Sequence, residues 1–221
     1  MDKINVFISY SSEEKLIGGR LKQMLVRYCG YDAFIAHDDI PGSEIWEKEI
    51  VQAIKKSDFF IPLISKSFIK SPYTDQETGC AVCMNKKIIP IKLDNTNPYG
   101  FINKIQALSY KTYPSNYRFD NQTDNLKEIA ITIAHIGFHY KTISIYYKKS
   151  MQSLVEALCN SESFDTTNAI IRILLKCNHQ FSNDQIKQIL KAIQTNSQII
   201  GAFGLPELKN ILKIRYHCHI E

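Results

Sequence analysis

The stretch DFFIPLISKSFIKSPYTDQETGCAVCMNKK, residues 58–87, carries one complete strand-and-helix unit. Its first eight residues, DFFIPLIS (58–65), form an apolar run of the length and composition of a buried strand. Pro62 is out of place inside it and predicts a bulge or an edge position. Ser71 then stands as a helix N-cap, with Pro72 at the first helical position, where a missing N–H costs nothing. The spacing predicts a helix over 71–87. A little over one turn into it comes Glu77, followed by the small residues Thr78, Gly79, Cys80 and Ala81. Glycine inside a helix costs about 1 kcal/mol relative to alanine. A helix weakener beside an acid raises the question of whether Glu77 is a surface charge or faces a pocket.

The same unit repeats on both sides. Strand patterns occur at INVFISYSS (4–12), DAFIAHDD (32–39), IIPIKLD (88–94) and IQALSYKTY (105–113). Between them, residues 13–30 and 45–57 have helical periods, and 125–143 closes the series with a helix. Five alternating units predict an α/β fold: a flavodoxin-like, five-stranded parallel sheet in the order 2-1-3-4-5, with helices on both faces. After Tyr140 no strand pattern remains. Helical spacing fills 150–161, 166–178, 182–200 and 205–216, and Ser182 with Gln185 has capping-box spacing. The expected organisation is an α/β domain over 1–143 and a small all-helical C-terminal domain over 144–221.

Composition excludes several classes. The chain has 221 residues and a net charge of +5, of which residues 141–221 carry +4 (10 basic against 6 acidic). That is a mildly basic helical surface, well short of the dense patch of a nucleic-acid binder. Six cysteines lie scattered at 29, 80, 83, 159, 177 and 218, and the chain enters a strand pattern at once with no secretory leader. The thiols are therefore expected to be reduced, in the cytoplasm. Cys80-x-x-Cys83 is the only close pair, and nothing completes a four-ligand zinc set, so no metal is expected. No apolar run reaches the roughly 20 residues of a membrane span.

In an open parallel sheet the ligand binds beyond the C-terminal ends of the strands, where the strand order reverses. For the order 2-1-3-4-5 this point lies between the first and third strands. The first strand delivers Ser9, Tyr10, Ser11 and Ser12 there; the second delivers His37, Asp38 and Asp39; the third delivers Ser65, Ser67 and the helix bearing Glu77. There is no GxGxxG, no Walker loop and no Ser-His-Asp order. A hydroxyl-rich rim with one carboxylate suits a ribose, and the carboxylate can stabilise positive charge developing at the anomeric carbon. A leaving group that is already cationic, as nicotinamide is in NAD, needs no general acid. NAD would then be the substrate, with no cofactor. Plainer readings stand beside this one: Glu77 as an exposed helix charge, Asp38 and Asp39 as turn residues next to Pro41-Gly42, and Trp46 as core packing rather than a stacking surface. His37 reads as a loop residue rather than a base.

The same residues resemble those of a TIR (Toll/interleukin-1 receptor) domain over about residues 3–140. The motifs are VFISYSSEE (6–14), DDIPGSEIWEKEIVQAI (38–54), KSDFFIPLISKSFIKSP (56–72) and SPYTDQETGCA (71–81). In enzymatically active members the glutamate of the last motif splits nicotinamide from NAD, and the matching residue is Glu77. The resemblance implies that Phe7, Ser9, Tyr10 and Ser11 border the substrate. It implies that Asp38, Asp39 and Trp46 belong to the loop and helix that close over it. The family's S-x-W spacer reads Ser71-Pro72-Tyr73, so Tyr73 takes the aromatic position. One TIR domain with a small C-terminal extension is similar to the bacterial TIR enzymes of Thoeris-type antiphage systems. Those convert NAD to a cyclic or otherwise modified ADP-ribose that switches on a separate effector. A phage-derived trigger and self-association through TIR domains are further implied partners. The alternatives are a non-catalytic adaptor acting through TIR–TIR association, with DDIPGSEIW as contact surface, and an effector whose helical domain senses a phage protein or nucleotide.

Overall fold

The computed structural model describes residues 3–35, 46–113, 124–139, 145–177 and 181–218. Two compact units emerge. One holds Ile4–Met24 and Asp32–Ala130; the other groups Leu25–Tyr31 with the chain from Ile131 onward.

The first unit is a parallel sheet. Its strands are β1 (Asn5–Ser9), β2 (Asp32–Phe34), β3 (Phe59–Ile64), β4 (Lys87–Ile88), β5 (Ile91–Lys92) and β6 (Leu108–Ser109). The order is β2-β1-β3-β5-β6, with β4 also on β3. β4 and β5 are two pieces of one strand: Phe60 pairs with Ile88 and Leu63 with Ile91 at the same offset. The predicted order 2-1-3-4-5 is therefore present. Pro62 corrects an expectation. It lies inside the central strand, with no bulge and no edge. The constant offset sets it opposite Pro90, and a proline cannot donate to a ladder, so the pairing breaks there and resumes in register. All six residues of β3 are buried, as a strand covered on both faces requires.

Helix α1 (Lys15–Cys29) is entered through a 3-10 turn, Ser12–Glu14. Helix α2 (Trp46–Lys56) buries Ile50 and Ile54, which join Phe7, Phe60, Ile64, Phe68 and Ala81 in one apolar cluster. Helix α3 (Pro72–Cys83) starts where the sequence placed it, with Ser71 accepting the Thr74 N–H. It ends four residues earlier than expected. Asn85 adopts a left-handed backbone (φ 52°), and the N–H groups of Asn85 and Lys86 turn back to the carbonyls of Val82 and Ala81. That is a Schellman stop. The second strand is described only to Ile35, so the part of it predicted over 36–39 lies outside the described residues. The last strand is shorter than predicted, two residues of β6. Helix α4 (Leu126–His139) follows, its first N–H, that of Leu126, donating to the Asp124 carboxylate.

The second unit is helical: α5 (Ile145–Cys159), α6 (Phe164–Lys176), α7 (Asn183–Thr195), the single turn α8 (Ser197–Ile200) and α9 (Leu205–Tyr216). The capping box at Ser182 and Gln185 is present in both directions. The helix predicted over 182–200 divides at Asn196. Its side chain accepts from Gln198 N to start α8 and donates to the carbonyls of Cys159 and Ser161, which holds it out of the helix. Within this unit Arg27 donates to Thr166 (2.7 Å) and Tyr28 to Asp165 (2.7 Å). Gly30 needs to be glycine, with φ at 66° and a Cβ position only 2.1 Å from the Ser153 carbonyl oxygen. Among the described residues no helix is long and apolar enough to cross a membrane.

Candidate functional site

Successive residues of a strand point to opposite faces. Phe7 and Ser9 therefore share one face of β1, and Val6 and Ile8 share the other. Phe7 goes fully into the core, stacked between Phe34 and Phe60 at ring distances of 5.5 and 5.6 Å. Ser9, at the C-terminal end of the strand, meets α3 instead. Its hydroxyl donates to Glu77 Oε2 at 2.5 Å.

Glu77 is only 8% exposed. Burial disfavours its charged form and pushes its carboxyl from the ordinary 4.5 up to about 7, with the Ser9 hydrogen bond opposing the rise. The other oxygen, Oε1, takes no hydrogen bond among the described residues. Glu77 is thus a buried carboxylate at the end of the first strand and not a solvated helix charge. A carboxylate that titrates near neutrality and keeps an acceptor oxygen unused is suited to hold sugar hydroxyls and to face developing positive charge.

The other residues singled out from the sequence divide. Ser9 joins Glu77 directly. Tyr73 lies one turn before Glu77 on α3 and is 58% exposed. Ser11 is buried but donates to Glu14, not to Glu77. Tyr10 is turned to the α1 side, its ring packed on Gly18 so closely that an added Cβ would meet it at 3.0 Å. Phe7 presents no surface to a substrate, because it lies two residues short of the strand end, fully buried between Phe34 and Phe60. His37, Asp38 and Asp39 lie outside the described residues, and of Trp46 only the backbone, the first residue of α2, is described. Gly79 has open space where a side chain would go, with nothing within 4 Å.

A second buried carboxylate went unread in the sequence. Glu14 is 8% exposed and accepts from Ser11, from Ser67 and, at 2.7 Å, from Ser65. The signal was present: Ser11-x-x-Glu14 has capping-box spacing at a helix start. Among the described residues no group of three or more His, Cys, Asp or Glu is placed to hold a metal. A cleft of about 340 Å³ lies at the opposite ends of the strands, between β2 and α2, lined by Asn5, Asp32, Glu49, Gln52 and Lys56 among others. Neither Ser9 nor Glu77 lines it.

A family model described as "TIR domain" matches residues 6–129, more than half of the chain. No curated protein matches. Among solved structures, the TIR domain of the Toll-related receptor TRR-2 from Hydra magnipapillata is similar at 22% identity and TM-score 0.43, covering 47% of this chain and 82% of that one. The CMP N-glycosidase BcmB of Clostridium botulinum is similar at 27% identity and TM-score 0.32, covering 44% and 75%. A 2-desoxiribosyltransferase from Leishmania mexicana is similar at 15% identity and TM-score 0.35, covering 55% and 77%.

Proposed function

The chain belongs to the TIR domain family, and from that premise we propose that it is an NAD-cleaving enzyme with Glu77 as its catalytic residue. The observation that carries the reading is the Ser9–Glu77 pair: a carboxylate 8% exposed, held at 2.5 Å by a serine at the end of the first strand. The nicotinamide–ribose bond breaks with its electron pair passing to the pyridinium nitrogen, which leaves as neutral nicotinamide. Positive charge develops at the anomeric carbon, and the ionised Glu77 stabilises it. The low-dielectric surroundings make that interaction stronger than it would be in water. Ser9 fixes the carboxylate's orientation through Oε2 and leaves Oε1 for the ribose. Tyr73, exposed one turn away, is the aromatic surface available to the substrate on the same helix.

The second step decides the product. Water attacking the same carbon gives ADP-ribose and releases a proton. A nucleophilic atom within the same molecule, attacking in place of water and giving up its proton, gives a cyclic product one water lighter than ADP-ribose. We assign the cyclic product, acting as a signal to a separate effector in bacterial antiphage defence, to this protein, with a phage-derived trigger and assembly through TIR domains upstream. The test is incubation of the full chain with NAD, alone and in assembled form, with products separated by liquid chromatography and mass spectrometry. Glu77→Ala is expected to lower nicotinamide release by about 10²-fold or more. Retained release in a folded Glu77→Ala protein would sink the assignment. Absence of turnover in both forms of the wild type would favour an adaptor acting through TIR–TIR association.

A further inference from the structure

We propose that Glu14 is a positioning residue for the Ser9–Glu77 pair, tying the segment after β1 and the segment after β3 to one buried carboxylate. The proposal rests on the reading of Glu77 as the reactive group. The bonds form a continuous path. Ser11, two residues beyond Ser9, donates to one oxygen of Glu14. Ser65 and Ser67, in the turn after β3, both reach the other. Ser65 Oγ in turn accepts the Phe68 N–H at 3.0 Å. The Phe68 carbonyl accepts from Ser71 N at 3.2 Å and from the Thr74 hydroxyl at 2.6 Å. Thr74 is in the first turn of α3, and its carbonyl accepts from the Thr78 hydroxyl at 2.7 Å. Glu77 lies between those two threonines. Both members of the reactive pair are therefore carried on segments that Glu14 holds.

The chemistry of the group suits this task. A buried carboxylate is tolerated only when its lone pairs are satisfied. Hydrogen bonds to an ionised acceptor are roughly twice as strong as neutral ones. Three hydroxyl donors from two segments make Glu14 a cross-link whose removal leaves Ser11 without that acceptor and Ser65 and Ser67 with only their bond to each other, at 2.9 Å, on that side. A small displacement of a reacting group lowers turnover far more than it lowers binding. Loss of the tie should therefore appear in kcat and in the surroundings of Glu77.

The experiment uses the full chain and two readouts. The first is the titration midpoint of the Glu77 carboxyl, followed by carbon-13 NMR of glutamate-labelled protein, with the signal assigned by its loss in Glu77→Gln. The second is the kcat and KM for nicotinamide release. In Glu14→Ala the Glu77 midpoint is expected to fall by about one pH unit or more, because burial is the larger influence on it and loosening α3 admits water. The kcat should drop about 10-fold, with KM within about 2-fold. Glu14→Gln should restore most of both, since its carbonyl still accepts from Ser65 and Ser67 and its amide donates to Ser11. If Glu14→Ala does not fold, the double variant Ser65→Ala/Ser67→Ala cuts the same tie and is expected to behave likewise. A folded variant of either kind with the Glu77 midpoint and kcat both unmoved overturns the proposal. If the wild type cleaves no NAD, the functional reading fails by itself, and the titration still decides the role of Glu14.

Discussion

Replacing Glu77 by Gln should stabilise the protein at pH 8 and leave it nearly unchanged at pH 4. The carboxyl is pushed from about 4.5 to about 7 in the fold, with burial as the main cause. In the unfolded chain it titrates near its ordinary value. A folded-state value above the unfolded one means that the native protein holds this proton more tightly. The resulting stability is fully present below about pH 4.5 and is lost as pH rises through about 7. Each pH unit of the gap is worth about 1.4 kcal/mol, so the gap of about 2.5 units is worth about 3 kcal/mol. Above pH 7 the wild type carries a buried anion, and Glu77→Gln does not. The amide has nearly the same shape, and its carbonyl still accepts from Ser9.

The assay is urea unfolding of both proteins at several values between pH 4 and pH 8.5, followed by tryptophan fluorescence. Trp46 is the only tryptophan and lies in the α/β unit, so the signal reports the unit that contains Glu77. Every other titrating group is shared, and its contribution cancels in the difference between the two proteins. The difference should grow from near zero to about 3 kcal/mol across the window. Catalysis should run the other way: kcat/KM for nicotinamide release should rise through a midpoint near pH 7 as Glu77 ionises. A stability difference that does not change with pH, or a Gln variant less stable than wild type at pH 8, would refute the account of the site as a buried anion held at a cost.

Three single substitutions probe the backbone and the helix starts. Gly30→Ala should cost about 2 kcal/mol or more, from a left-handed backbone and a Cβ placed 2.1 Å from the Ser153 carbonyl oxygen, and thermal unfolding by circular dichroism reads it. Gly79→Ala should gain up to about 1 kcal/mol, because nothing lies within 4 Å of the new methyl group. A rise in the KM for NAD in that stabilised variant would show that the substrate reaches this turn of α3. Ser182→Ala should cost about 1 kcal/mol by removing the side-chain acceptor of Gln185 N, and Ser182→Asp should restore it in the same melting experiment.

The architecture was legible because local pattern and tertiary environment agree over most of the chain. A six-residue apolar run with turn residues after it is a buried parallel strand, and β3 is one. The mismatches fall where a single side chain or backbone angle overrides the period. Asn85 stops α3 by taking a left-handed conformation, and Asn196 divides α7 from α8 by giving its amide to the carbonyls of Cys159, at the end of α5, and Ser161, just beyond it. Pro62 was misjudged because the tolerance of a central strand for proline depends on what stands opposite, here Pro90. At the site, Ser9 and Glu77 could be placed together from strand order alone. The burial of Phe7 short of the strand end and the turning of Tyr10 to the α1 side could not, since both depend on how the helices close over the sheet. Glu14 went unread although Ser11-x-x-Glu14 has capping-box spacing, because its other two donors, Ser65 and Ser67, reach it only through the turn after β3.

The two buried carboxylates differ in how far the fold uses their acceptor capacity. A carboxylate offers about four lone-pair sites. Glu14 accepts three hydroxyls that come from two separate segments, so its acceptor capacity is taken up by the fold itself. Glu77 accepts one, from Ser9, and keeps Oε1 without a partner among the described residues. Equal burial with unequal satisfaction assigns them different tasks. A ligand with vicinal hydroxyls would gain little at Glu14, where each new bond would displace an existing one. At Glu77 it would meet an oxygen that the described residues leave open. The donor count therefore marks Glu77 as the buried carboxylate with unused acceptor capacity among the described residues, which is the property the proposed function draws on.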